Sequence, residues 1–369
     1  MYQHQGLNDV FFLMLYGAAA MFALVACCYL LFRRVNVIAD SVASPVGLRR
    51  WAAAFLAAVA ASHVWWALLG TVWLADDRLV RNLVGILLDR LTFVPLIMVV
   101  LVRMLQDRRR SLWPILLAMV PVAAIIIAGL VTHDAETETY NRYYTLVLIV
   151  SFVVYMIFAV RRYSLWLRDN YADLEHKEVW LSLTLLIGLM LLLLSYEFTD
   201  NYVMSTIAHI TGFPLAGLLL WRVETLKDLS TDSHTPCPAQ RDACPTADPS
   251  NKVEDSHIGQ LLAKHCEDAQ LYLQTDLTLS QLSAAVGVNR YYLSQYFASQ
   301  NTSYYEYIHD LRVSHFIARY RELAAAQESI VAQQLAQESG YSSYSTFSTA
   351  FKQRMHKSVT AWMREEGTA

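Results

Sequence analysis

Charge is scarce in this chain. Asp, Glu, Lys and Arg make up only 17% of its 369 residues, and the net charge is −3. A uniformly basic nucleic-acid binder is thereby excluded, since such proteins advertise themselves by a cationic excess. Cysteine is scarce as well. Cys27 and Cys28 lie in an apolar run, Cys237 and Cys244 in a proline-bearing stretch, and Cys266 in a helical one. That scatter excludes a disulfide framework and fits a reducing compartment for the C-terminal half. Catalytic signatures are missing: there is no H-E-x-x-H, no Gly-rich phosphate loop and no G-x-S-x-G turn. The chain therefore reads as a non-enzyme, with no metal and no cofactor expected. A cleavable leader is not expected either, because no basic stretch precedes the first apolar run. No repeat relates one group of apolar runs to another, which gives no support to a transporter built from inverted halves.

What the chain has in excess is apolar surface, 55% of its residues, concentrated before about residue 225. A membrane-spanning helix needs roughly 20 apolar residues. Seven stretches qualify or nearly do: Val10–Phe32, Trp51–Leu74, Leu83–Met104, Leu112–Val131, Tyr144–Val160, Val179–Phe198 and Tyr202–Trp221. Trp51, Trp73, Trp113, Trp180 and Trp221 fall at their ends, where indole rings favour the headgroup level. The inner ends of the first, third, fifth and seventh stretches, with the segments that follow them, hold fourteen Lys and Arg; the opposite side holds Arg78, Arg81 and Arg142. Basic loops stay cytoplasmic, so the N-terminus is expected outside and the C-terminus inside. Tyr163–Val179 mixes Trp166 and Leu167 with charges, and is expected to lie on the inner surface or to pair with a second subunit.

Ionisable groups inside such spans are costly and usually face the bundle interior or a watery cavity. His63, Asp89, Arg90, Glu197 and His209 are therefore the candidate ligand pocket, for a small-molecule or membrane-borne signal. The bland alternative is that Asp89 and Arg90 pair with neighbours, and that His63 is a packing residue.

Ser230–Ser256 carries four prolines and few apolar residues, and reads as a flexible linker. Such a linker transmits no rigid twist. Signal transfer would then act through dimer proximity, or through contacts between the C-terminal domain and the cytoplasmic loops. The expected domains are 1–227, a membrane sensor domain; 228–256, the linker; and 257–369, a helical domain. His257–Gln274 reads as helical.

The last domain holds one pattern twice. A short apolar helix, a glycine turn and a polar-faced helix occupy 279–297 and recur at 330–354. Leu282 matches Leu335 and Gly287 matches Gly340, each 53 residues on. Each copy reads as a helix-turn-helix, the unit that lays its second helix in a DNA major groove. Tyr304–Leu323 reads as one long helix between them. Residues 251–369 carry a formal −2, but Ile330–Arg364 carries four cations against Glu338 alone. Modest non-specific affinity and a dependence on pairing of subunits follow.

The second copy, Ile330-Val-Ala-x-x-Leu-Ala-x-x-Ser-Gly340-Tyr-x-Ser-x-Ser-x-Phe-x-x-x-Phe351-Lys352, the Leu-Arg-Val at 311–313 and the Asp276-Leu-Thr-Leu-Ser start resemble the DNA-binding domain of the AraC/XylS family of bacterial transcription regulators. The likeness covers about His257–Arg364. His356-Lys357-Ser358-Val359 and Trp362 depart from the family's usual Gly, Ser-Pro and Tyr or Phe. The resemblance implies that the first reading helix presents Arg290, Tyr291, Ser294 and Gln295 to DNA, and the second Tyr344, Ser345, Ser348 and Thr349. Arg forks to guanine, Gln to adenine, and Ser or Thr serves either. Arg312, Lys352, Arg354 and Lys357 are expected on phosphates, which fix position rather than sequence.

Together these readings describe an all-α protein. A seven-helix transmembrane bundle is followed by a linker and a soluble helical domain with two helix-turn-helix units. The expected function is that of a membrane-bound one-component transcription factor of the bacterial inner membrane. Its expected partners are double-stranded DNA, the lipid bilayer, an unidentified signal and a second copy of the chain. The alternatives are a membrane transporter or enzyme with a fused regulatory domain, and an interaction module whose tail no longer binds DNA.

Overall fold

The computed structural model describes residues 7–39, 42–69, 77–134, 136–174, 202–229, 255–327 and 330–366, with isolated positions between them. Among the described residues the fold is all-α, and the only strand-like pairing is a single bridge, Tyr171 to Thr278. The chain divides into two compact units. One comprises residues 1–163 and 176–233, the other residues 164–175 and 234–369. The short segment at 164–175 thus leaves the expected sensor domain and joins the C-terminal unit.

The first unit is built from α1 (Leu7–Phe32), α2 (Val46–Leu68), α3 (Arg78–Arg103), α4 (Trp113–Thr132), most of α5 (Glu136–Asn170) and α6 (Tyr202–Thr225). All six are long and apolar enough to cross a membrane. They correspond to the first five and the seventh apolar stretches; Val179–Phe198 lies outside the described residues apart from isolated positions. α5 is longer than its apolar core because polar Glu136–Tyr143 and Arg161–Asn170 continue the same helix. Asp77 caps α3 by accepting from the Val80 amide at 3.0 Å. Pro95, Pro121 and Pro214 sit inside α3, α4 and α6. Small residues allow close helix approach. A Cβ on Gly85 would lie 2.5 Å from the Trp66 ring, and one on Gly129 2.5 Å from the Thr137 side chain.

One end of this unit is tied by polar contacts. Arg33, just after α1, donates from Nε to Glu224 Oε1 of α6 at 3.1 Å, with Nη2 2.8 Å from Oε2. Asn36 donates to the carbonyls of Val42 and Glu224. Gln106, just after α3, donates to the Lys227 carbonyl and accepts from the Leu229 amide, both at 2.9 Å. The C-terminal ends of α1, α3 and α6 therefore meet, as the distribution of cationic loops requires.

The second unit contains α7 (Asp255–Leu262), α8 (Leu279–Val286), α9 (Arg290–Ser299), α10 (Tyr304–Ala325), α11 (Ala332–Glu338), α12 (Tyr344–Met355) and α13 (Val359–Glu366). The stretch expected to be helical over 257–274 consists of α7, a π-turn at Ala263–Glu267 and a 3-10 turn at Leu271–Leu273. Two cores lie on the two copies. Leu282, Leu293, Phe297, Tyr304 and Ile308 form the first; Phe316, Leu335, Phe347, Phe351 and Trp362 form the second. α10 contributes to both. α8 and α10 start on capping boxes, Thr278 with Gln281 and Ser303 with Glu306. In each box, side chains at the first and fourth positions satisfy each other's free amides. α11 starts on Val331 with no side-chain cap. α13 forms despite the missing proline, anchored by buried Val359 and Trp362.

Candidate nucleic-acid interface

α9 and α12 are the second helices of the two copies. A helix repeats every 3.6 residues, so burying one stripe displays the opposite one. In α9 Leu293 and Phe297 go inward, while Arg290, Tyr291, Ser294 and Gln295 are exposed. Asn289 caps the helix by accepting from the Tyr291 amide at 2.9 Å, and Gln295 donates to the Tyr291 hydroxyl at 2.8 Å. In α12 Phe347, Ala350 and Phe351 go inward. Tyr344, Ser345 and Thr349 are exposed and Ser348 half-buried. Ser343 caps this helix through the Thr346 amide. The structure thus places both expected sets of readers on outward faces.

Among the expected phosphate contacts, Lys352, Arg354 and Lys357 are exposed. Arg354 pairs with Asp310, and Lys357 with Glu365 at 2.6 Å. Arg312 is a correction. It is only 1% exposed and cannot reach a phosphate. Its guanidinium donates to the carbonyls of Tyr272 and Gln274, both at 2.7 Å, and lies 5.5 Å from the centre of the Tyr341 ring. Two carbonyls of an irregular turn find their donor there, so Arg312 braces the fold. Burial lowers its pKa from the usual guanidinium value, and Tyr341 and Tyr304 act against that.

His309, one turn before Arg312, was not anticipated. Its Nε2 donates to the Ala172 carbonyl at 2.9 Å, which leaves Nδ1 to accept from the Tyr341 hydroxyl at 3.0 Å. Burial and the adjacent Arg312 push its pKa down to about 4. It is neutral at ordinary pH, as this bonding requires. Cys266, in the first core, is a buried thiol pushed up to about 11 by desolvation, which makes it inert.

The candidate pocket residues of the first unit separate into three places. His63 and His209 meet, their rings 5.5 Å apart, with Tyr16 4.5 Å from His63 and Phe12 5.3 Å from His209. Asp89 turns to α2: Ser62 Oγ, Trp65 Nε1 and Trp66 Nε1 donate to it at 2.8, 3.1 and 2.7 Å. Arg90 turns to α5 and bonds the Asn141 carbonyl and the Thr145 hydroxyl. Glu197 lies outside the described residues. Tyr16 carried no sequence signal, since a tyrosine in an apolar run resembles any other packing residue.

Residues 282–365 match the family model described as a helix-turn-helix domain. No curated protein and no solved structure matches the chain. That match lies wholly within the C-terminal domain with its two helix-turn-helix copies on one joining helix, and it supports the resemblance of this domain to DNA-binding regulators of the AraC/XylS type.

Proposed function

We propose that this protein is a one-component membrane sensor that reads promoter DNA from the cytoplasmic face. The observation that carries the reading is the pairing, in one chain, of six long apolar helices with two outward-facing reading helices. The meeting of α1, α3 and α6 at one end supports the orientation, since their C-terminal ends carry the cationic loops. α10 has 22 residues. At 1.5 Å per residue it spans about 33 Å, close to the ~34 Å between successive major grooves on one DNA face. One domain therefore suits two adjacent grooves. Arg290, Tyr291, Ser294 and Gln295 would read the first, and Tyr344, Ser345, Ser348 and Thr349 the second. Lys352, Arg354 and Lys357 would hold phosphates. Tyr16, His63 and His209 are the group best placed to meet a signal within the bundle. Such a signal acts by favouring one state of the bundle over another. A weakly charged domain gains affinity by pairing with a second copy in the membrane plane.

The test is footprinting with the full chain in membrane nanodiscs against a genomic fragment library. Two protected segments about one helical turn apart are expected. Gln295→Ala and Ser348→Ala should each relax selectivity in one segment only. No sequence-selective protection at low salt would overturn the reading.

A further inference from the structure

The segment following α5 is seated in the DNA-binding unit. Tyr171 bridges Thr278 in antiparallel fashion, and the Ala172 amide donates to the Leu277 carbonyl at 3.2 Å. The Ala172 carbonyl takes its hydrogen bond from His309 of α10. Ala172 is fully buried and belongs to the first core. On one side of it Asn170 Oδ1 accepts from the Arg290 guanidinium, the first residue of the first reading helix. On the other, the Asp173 carboxylate accepts from Ser342, two residues before the second reading helix. Four residues of a membrane-proximal segment thus touch the start of the first copy, the middle of the joining helix and the turn of the second copy.

Two of these contacts oppose DNA. Arg290 is the one cation among the proposed base readers, and a guanidinium held by Asn170 is not available to fork to a guanine. Asp173 brings a carboxylate to the start of α12, where a phosphate backbone would approach. Asn170 is also the last residue of α5, and the apolar part of that helix is a candidate membrane span. A displacement of α5 therefore reaches the reading helices without passing through residues 228–256.

We propose that residues 170–173 are a docking strap that holds the DNA-binding domain in a low-affinity state and is withdrawn when the bundle changes state. The proposal rests on the DNA-reading function above and assigns its control. The occupant of the surface is this chain's own segment, not a second protein.

The experiment uses the full chain in nanodiscs. A fluorescent duplex is enriched from a random-sequence library by the wild-type protein, and its Kd is compared across variants at one salt concentration. Asn170→Ala frees Arg290 without touching the core, and Ala172→Asp displaces the strap. If the strap is docked about nine-tenths of the time, removing it tightens the apparent Kd about tenfold. Ala172→Asp should show that gain and Asn170→Ala about threefold. The Asn170→Ala gain should vanish in an Arg290→Ala background, an outcome that a general effect on folding would not produce. Unchanged or weaker binding in Asn170→Ala would overturn the proposal. So would a gain that survives in the Arg290→Ala background. If wild type and both variants all fail to enrich a duplex, the DNA-reading function itself falls, and the strap's role with it.

Discussion

Replacing each turn glycine by alanine should separate two copies that look equivalent. Gly287 and Gly340 both have positive φ, 74° and 87°. A side chain in that left-handed region costs about 1–2 kcal/mol. At Gly287 an added Cβ meets nothing within 4 Å, so the backbone cost stands alone. At Gly340 it would lie 2.7 Å from the Leu273 carbonyl oxygen and 2.9 Å from that residue's C and Cα. Those are backbone atoms of the 3-10 turn at Leu271–Leu273. They move only if the turn moves, and its other carbonyls are fixed by Arg312. Overpacking of this kind adds about 1–3 kcal/mol. Gly287→Ala should therefore cost about 1–2 kcal/mol and Gly340→Ala about 2–5 kcal/mol. Hydrogen exchange of the full chain reads both, through peptides covering α9 and α12. Losing about 1 kcal/mol speeds exchange roughly fivefold, and about 3 kcal/mol more than a hundredfold. Equal acceleration in the two variants, or the larger one at Gly287, would refute the reasoning.

Arg312→Met strips the donor from two carbonyls and should cost about 3 kcal/mol in the C-terminal unit. The slope of DNA affinity against salt should stay unchanged, whereas Lys352→Ala should lower it by about one counterion. His309 has a folded pKa of about 4, below its ordinary value of 6.5, so its stabilisation is complete above pH 6.5 and lost as pH falls towards 4. At 1.36 kcal/mol per unit the full loss approaches about 3 kcal/mol. Arg312 opposes that proton and Asp173 favours it, with Tyr341 and Tyr305 against the ring. Exchange of the Ala172 amide, corrected for its intrinsic pH dependence, should therefore quicken between pH 6.5 and 4.5; His309→Gln should abolish the step, and a flat wild-type profile would count against it. Arg33→Met leaves the Glu224 side chain, 0% exposed, without its cation. That should cost about 3–5 kcal/mol by thermal unfolding in detergent, most of it recovered in Arg33→Met/Glu224→Met.

Periodicity made the repeated domain legible. Leu282 and Leu335 announce cores, and Gly287 and Gly340 announce turns, because local geometry dictates those residue types. Arg312 was misread for the opposite reason. Its partners Tyr272 and Gln274 lie 40 and 38 residues away, so nothing beside it in the chain marks it as buried. Asn170 and Ala172 were invisible in the same way, since the His309 contact spans 137 residues. The sequence offered dimer proximity and contacts with the cytoplasmic loops as two routes for a signal past the linker, and singled out no loop residue for the second. In the bundle, hydropathy sees the stripe of a helix and not its neighbour. Of the five expected pocket residues, His63 and His209 thus lie together, while Asp89 and Arg90, adjacent in sequence, point to different helices.

The unequal caps give the duplicated domain a direction. α8 and α10 begin on reciprocal side-chain boxes, whereas α11 is seven residues long and begins on Val331 with none. So short a helix has little stability of its own, and a missing Ser or Thr cap forfeits about 1 kcal/mol. Thermal breathing therefore starts in the C-terminal copy and stops at α10, whose own cap faces the first copy. The protein frays from its tail inward, and a protease sampling that motion would cut near Val331 long before it reached Thr278.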